Sequence, residues 1–177
     1  MDEEIKKEIT PEGETVIVCI GSELRGDDGL GPYVGARLKA MGQAEGIRHK
    51  AMDQAQGLRR EGEESKFEVI NAFSVIENYL DKIISSKPRK LIIVDAAFFG
   101  GKPGEMKILP PDKLSSYKIV STHSFPLEVL LGIIKEDLPD LKIVILGVQP
   151  ENIDYKEGLS PDAKASAGEI IAFFNSL

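Results

Sequence analysis

Thr15-Val16-Ile17-Val18-Cys19-Ile20-Gly21-Ser22-Glu23-Leu24-Arg25-Gly26-Asp27-Asp28-Gly29-Leu30-Gly31-Pro32 is the stretch that decides the fold. Its first six residues are an unbroken apolar, β-branched run, the signature of a central strand covered on both faces of a parallel sheet. A glycine-rich turn follows, and Val34, Leu38 and Met41 then recur at helical spacing. Strand, turn and helix make the start of a βαβ unit, the place where open α/β sheets hold their ligands. The turn carries two adjacent acids, Asp27 and Asp28, where a phosphate-binding loop would carry bare glycines.

Working outward, the same alternation recurs. A strand is expected at 67–71, a helix near 75–84, and a third, buried-type strand from Lys90 to Ala97 with Asp95 at its end. A short strand at 105–109 follows so soon that it must pair antiparallel, because a parallel crossover takes a dozen or more residues. A helix containing Leu127, Leu130, Leu131 and Ile134, a strand at 141–148, and a last helix over 161–174 complete the chain. Ser160 is placed to cap that last helix, with Pro161 at its first position. Strands alternating with helices predict a three-layer α/β/α sandwich with a mostly parallel sheet of about five strands, one of them antiparallel. Residues 1–177 read as a single domain, with 1–14 a loosely held extension and 43–66 a polar insertion without its own strand.

Composition narrows the function. A net charge of −7 argues against nucleic acid as a partner. No apolar run approaches the ~20 residues of a bilayer span, so no membrane insertion is expected. The charged Met1-Asp2-Glu3-Glu4-Ile5-Lys6-Lys7 lacks the apolar core of a signal peptide. Cys19 is the only cysteine and sits within an apolar strand, where it reads as a buried small residue. A cytoplasmic protein is expected.

Three polar residues share one structural address. Asp28 follows the first strand, Asp95 closes the third, and His123 stands where an extended segment enters a helix. All three fall at the carboxyl edge of the sheet, where neighbouring strands are ~4.8 Å apart. Two carboxylates and an imidazole suit a divalent cation such as Zn²⁺ or Ni²⁺ and leave positions open for water or a substrate group. Taken singly, each has an ordinary structural reading: Asp28 as a helix cap, Asp95 as a cap on the turn at 98–104, His123 as a residue before a helix. Asp27 reads either as a helix-start acid that shapes the turn or as an unengaged acid close enough to serve as general base. The chain has no G-x-G-x-x-G dinucleotide motif, no G-x-x-x-x-G-K-[ST] phosphate loop and no G-x-S-x-G elbow.

On these residues the chain resembles the [NiFe]-hydrogenase maturation endopeptidases, most closely the branch acting on hydrogenase-3-like and archaeal membrane-bound enzymes. The family's opening motif G-N-x-L-x-x-D-[DE]-G-x-G stands here as Gly21-Ser22-Glu23-Leu24-Arg25-Gly26-Asp27-Asp28-Gly29-Leu30-Gly31. Its second block matches Val94-Asp95-Ala96 through Pro103-Gly104-Glu105, its histidine block Ser121-Thr122-His123, and its G-x-Q-P block Gly147-Val148-Gln149-Pro150. Ser22 replaces the usual Asn, and of the family's G-T-x-P-E-type segment only Glu77-Asn78-Tyr79 is kept.

The resemblance implies metal ligands at Asp28, Asp95 and His123, and an aspartic-type or metal-assisted peptide hydrolysis in which these residues and Asp27 are the catalytic candidates. It implies a nickel-dependent processing endopeptidase that removes the C-terminal extension of a [NiFe]-hydrogenase large-subunit precursor after nickel insertion. Nickel is then carried by the substrate, and another divalent cation could occupy the isolated protein. The rival expectations are a non-catalytic nickel-checking chaperone of the large subunit and, less compatible with the acids, a nucleotide-binding α/β domain.

Overall fold

The computed structural model describes residues 1–42, 67–119 and 126–177. The polar stretch 43–66 and the segment 120–125, which holds His123, lie outside the described residues. The order is α1 (Glu3–Ile9), β1 (Thr15–Ile20), a 3-10 turn (Gly26–Gly29), α2 (residues 30–42), β2 (Glu68–Phe73) and α3 (Leu80–Ser85). It continues with β3 (Lys90–Phe98), β4 (Met106–Leu109), β5 (Lys118–Ile119), α4 (Leu127–Asp137), β6 (Lys142–Val148) and α5 (Pro161–Asn175).

The sheet runs β2-β1-β3-β6-β4, and β5 pairs with the far end of β3. β1, β2, β3 and β6 are parallel, while β4 lies antiparallel on β6 with Met106 opposite Val148. This is the expected mostly parallel sheet. β1 is buried along its whole length and β3 along all but its last residue, as the unbroken apolar runs require.

Alternate residues of each strand feed opposite layers. On one face Val18, Ile20, Ile93 and Ile145 pack with Ile83 of α3 and with Leu127, Leu130 and Leu131 of α4. On the other, Ile17, Cys19, Val94 and Leu146 pack with α1, α2 and α5 through Ile5, Val34, Leu38 and Ile170. β1 therefore connects to β2 over one face and β2 to β3 over the other. The strand order reverses between β1 and β3, and that crevice is the topological switch point of an open α/β sheet.

Three expectations need correction. Residues 1–14 are not loosely held: Asp2 caps α1 by accepting from the Ile5 amide at 2.8 Å, and Ile5 and Ile9, one turn apart, are buried in the core. Lys90, fully buried at the start of β3, donates to the Thr10 carbonyl at 2.6 Å and to Glu12 at 2.7 Å, fastening the following loop. That ammonium, with Lys142, holds the Glu12 carboxyl below the usual carboxylate range. The first helix does not begin at Asp28, because Gly26–Gly29 form a separate 3-10 turn. Nor does Asp95 end its strand; β3 runs on to Phe98, since β5 pairs with Ala97 and Phe98 and supplies the partners that extend it. Among the described residues, no helix is long and apolar enough to cross a membrane.

Candidate functional site

The end of β1 and the turn after it fold back on each other. The Ser22 amide donates to the Asp28 carbonyl at 3.2 Å, and the Asp28 amide to the Arg25 carbonyl at 3.1 Å. Gly21, at φ +135°, has its missing side chain replaced by this contact, because a Cβ there would lie 1.8 Å from the Asp28 carbonyl oxygen and 3.3 Å from Oδ1. The Asp28 carboxylate is thereby laid against Gly21, the residue that follows the strand. Gly31 serves the same approach from the helix side, since a Cβ there would lie 2.0 Å from the Ile20 carbonyl oxygen. Gly26 meets Asn152 and Gly29 meets the Glu23 backbone. These glycines make room for the chain's own neighbouring residues.

Asp28 is fully buried, and neither carboxylate oxygen has a hydrogen-bond partner among the described residues. Burial pushes its carboxyl up to about 6, against the opposing pull of the Arg25 guanidinium and the nearby Ser22 amide. A buried ionisable group without a donor, raised toward neutrality in a crevice, is the pattern expected of a ligand-binding or catalytic carboxylate.

Asp95 approaches from the neighbouring strand. Val94 pairs with Cys19, so Asp95 stands level with Ile20, one residue short of Gly21. The 3-10 turn bearing Asp28 packs against β3. Asp95 is itself buried, opposite Gly147 of β6. Its charge adds to burial in pushing the Cys19 thiol up to about 12, so Cys19 holds its proton and is no nucleophile. Both acids thus stand at the switch point. His123 lies outside the described residues, in sequence between β5 and α4. Among the described residues no group of three or more His, Cys, Asp or Glu could hold a metal ion.

Asp27 behaves differently from its neighbour. It is buried, and its Oδ1 accepts from the Ser160 amide at 2.7 Å while Oδ2 accepts from the Glu151 amide and the Ser160 hydroxyl, both at 2.8 Å. It is engaged, not free. Ser160 also accepts from the Ala163 amide at 3.3 Å as the N-cap of α5, as its sequence position predicts; its bond to Asp27 carried no sequence signal.

Gln149 is a second structural residue whose role the sequence hid inside a motif. Its Oε1 accepts from the Phe99 amide at 2.9 Å and the Gly101 amide at 3.2 Å, holding the loop that leaves β3 just beyond Asp95. Gln149→Leu keeps the bulk and removes this acceptor, so it should cost about 1–3 kcal/mol. Urea unfolding checks this as a lower midpoint at unchanged m.

The chain is similar to known proteins over most of its length. The family model described as "HycI: Hydrogenase maturation protease" matches residues 53–174. A hydrogenase 3 maturation protease of Escherichia coli K12 is 29% identical over 140 residues, covering 79% of this chain and 75% of that protein. A putative hydrogenase maturation protease of Methanocaldococcus jannaschii is 32% identical over 162 residues, covering 88% and 83%. The crystal structure of the [NiFe] hydrogenase maturation protease HycI from Thermococcus kodakarensis superposes with a TM-score of 0.75 at 28% identity, covering 98% of this chain and 97% of that one.

Proposed function

The chain belongs to the hydrogenase maturation protease family, and from that premise we propose that it is the endopeptidase that removes the C-terminal extension of a [NiFe]-hydrogenase large-subunit precursor once nickel is in place. The observation that carries this reading is the Asp28 carboxylate, buried at the switch point with both oxygens unpartnered among the described residues. A fold tolerates such a group where a ligand completes it.

Nickel enters as part of the substrate. Asp28, Asp95 and His123 offer a hard-to-borderline donor set that suits it while leaving the precursor's own ligands in place. Docking on the metal would bring the scissile peptide to the carboxyl edge of the sheet. Hydrolysis then requires a water to give up a proton as its oxygen attacks the carbonyl carbon, and the leaving amine to gain one. Asp27 is poorly suited to take that proton, because its oxygens already accept three hydrogen bonds. Asp28 and Asp95, as ligands to the metal, would be held as carboxylates, so water bound to the substrate's metal would supply the nucleophile.

The test is incubation of the purified protein with nickel-loaded and nickel-free precursor, the products being read by mass spectrometry. A single cut confined to the nickel-loaded form is the expected result. Binding without shortening would mark a nickel-checking chaperone instead. If Asp28→Ala, Asp95→Ala and His123→Ala all cleave fully, the site assignment falls.

A further inference from the structure

Most large apolar side chains of the described residues are buried, yet at the carboxyl edge of the sheet Leu24 at 56%, Phe73 at 43% and Tyr155 at 88% face solvent, as does Val75 just beyond Phe73. The first three are mounted on the turn that carries Asp28. The Lys156 amide donates to the Leu24 carbonyl at 3.1 Å and the Gly26 amide to the Lys156 carbonyl at 2.7 Å, so the backbone beside Tyr155 is zipped to residues 24–26. From the other side the Gly21 amide donates to the Phe73 carbonyl at 3.0 Å.

Phe73 is also strained. Cys19 pairs with Asn71 and Ile20 with Phe73, so Ala72 is an extra residue in β2, and Phe73 emerges at φ +51°. That conformation is costly for a bulky side chain and natural for glycine. Strain of this kind persists where it positions something, and bulges beside active sites commonly re-aim a side chain. Here the outcome is an aromatic ring held in solvent at the rim of the crevice.

We propose that Leu24, Phe73 and Tyr155 form the docking surface for the protein substrate and take an apolar, net basic stretch of the precursor. This rests on the function proposed above, which requires a polypeptide to reach Asp28 across this rim. The basic character follows from charge: around the three residues the exposed Glu23, Glu151, Asp154 and Glu157 outnumber exposed Lys156 and half-buried Arg25. The three side chains contact substrate remote from the reacting bond, so they govern binding and not the chemical step.

The decisive variant is Phe73→Gly, because a structural role and a docking role move its stability and its substrate binding in opposite directions. Melting temperature should rise as the strain is relieved, while precursor affinity falls and KM rises ~5-fold or more with kcat little changed. Leu24→Ser and Tyr155→Ser should weaken affinity at unchanged melting temperature, and wild-type KM should rise with ionic strength. Affinity unaltered in all three variants, or a KM indifferent to salt, would overturn the proposal while cleavage by the wild type left the functional reading standing. A precursor bound but never cut would defeat the functional reading, and the affinities of the variants would still decide the surface. A precursor neither bound nor cut by the wild type would defeat both.

Discussion

Asp28→Asn is expected to melt several degrees higher than the wild type at pH 8 and to lose at least ~100-fold in cleavage rate. Both effects come from the same buried charge. The carboxyl is raised from 3.8 to about 6 in the folded chain, so the folded protein binds the proton more tightly than the unfolded one. The resulting penalty is absent below about pH 4, grows as pH rises through the window between the two values, and is complete above pH 6. A shift of that size corresponds to about 3 kcal/mol, or about 6–12 °C for a domain of this length. Asparagine carries no charge and escapes the penalty. Thermal scans from pH 4 to 8 in the presence of a chelator should show the two melting temperatures diverging as pH rises. A constant gap would mean that the gain arises from packing and that the carboxylate is not strained.

Stabilisation on removal marks a residue that folding does not need. The cost of burying Asp28 is offset by the rest of the core, and the ligand proposed above would relieve it. Adding a divalent cation should therefore raise the melting temperature of the wild type more than that of Asp28→Asn, since a cation supplies the partner that both oxygens lack.

The buried strands were legible because they are nearly continuous apolar runs, as two-sided burial demands. The antiparallel sense of β4 followed from chain length, a short connection forbidding a parallel crossover, but its place beside β6 and not β3 did not. Asp28 and Asp95 could be placed at one sheet edge because each follows a buried apolar run, and the parallel register of β1 and β3 carries those runs to the same level. What could not be read were contacts between residues far apart in the chain. Nothing local distinguishes Asp27 from Asp28, and only the return of residues 151–160 to the turn gives one of them three donors. The helix at Glu3–Ile9 was missed because two isoleucines among charged residues look like a solvated tail until a partner face exists for them. The crowding behind the turn's glycines was equally hidden, since the atoms a side chain would meet there belong to Asn152, Glu23 and Ile20. Phe73 gave no warning, because a positive φ at a phenylalanine contradicts its own propensity.

The second acid of the pair should respond in the opposite sense. Asp27→Ala is expected to destabilise the fold by about 3–5 kcal/mol, as three donors lose a charged acceptor at once: the amides of Glu151 and Ser160 and the Ser160 hydroxyl. The loss is not confined to hydrogen bonds. Through Ser160 the carboxylate is joined to the N-cap of α5, and the 24–27 turn is zipped to the same loop by the Gly26, Asp27 and Lys156 amides. Releasing Asp27 therefore loosens the support on which Asp28 is aimed, so cleavage should fall even under conditions where the variant remains folded. Asp27→Asn keeps one acceptor oxygen and should cost less than alanine, with its amide nitrogen set against donors on the other side. Urea denaturation of the single variants and of the double variant separates the contributions: adjacent acids would show stability changes of opposite sign, negative at Asp27 and positive at Asp28 at pH 8. An Asp27→Ala protein as stable as the wild type would show that the 151–160 loop is held without it, and the structural role assigned to Asp27 would fail.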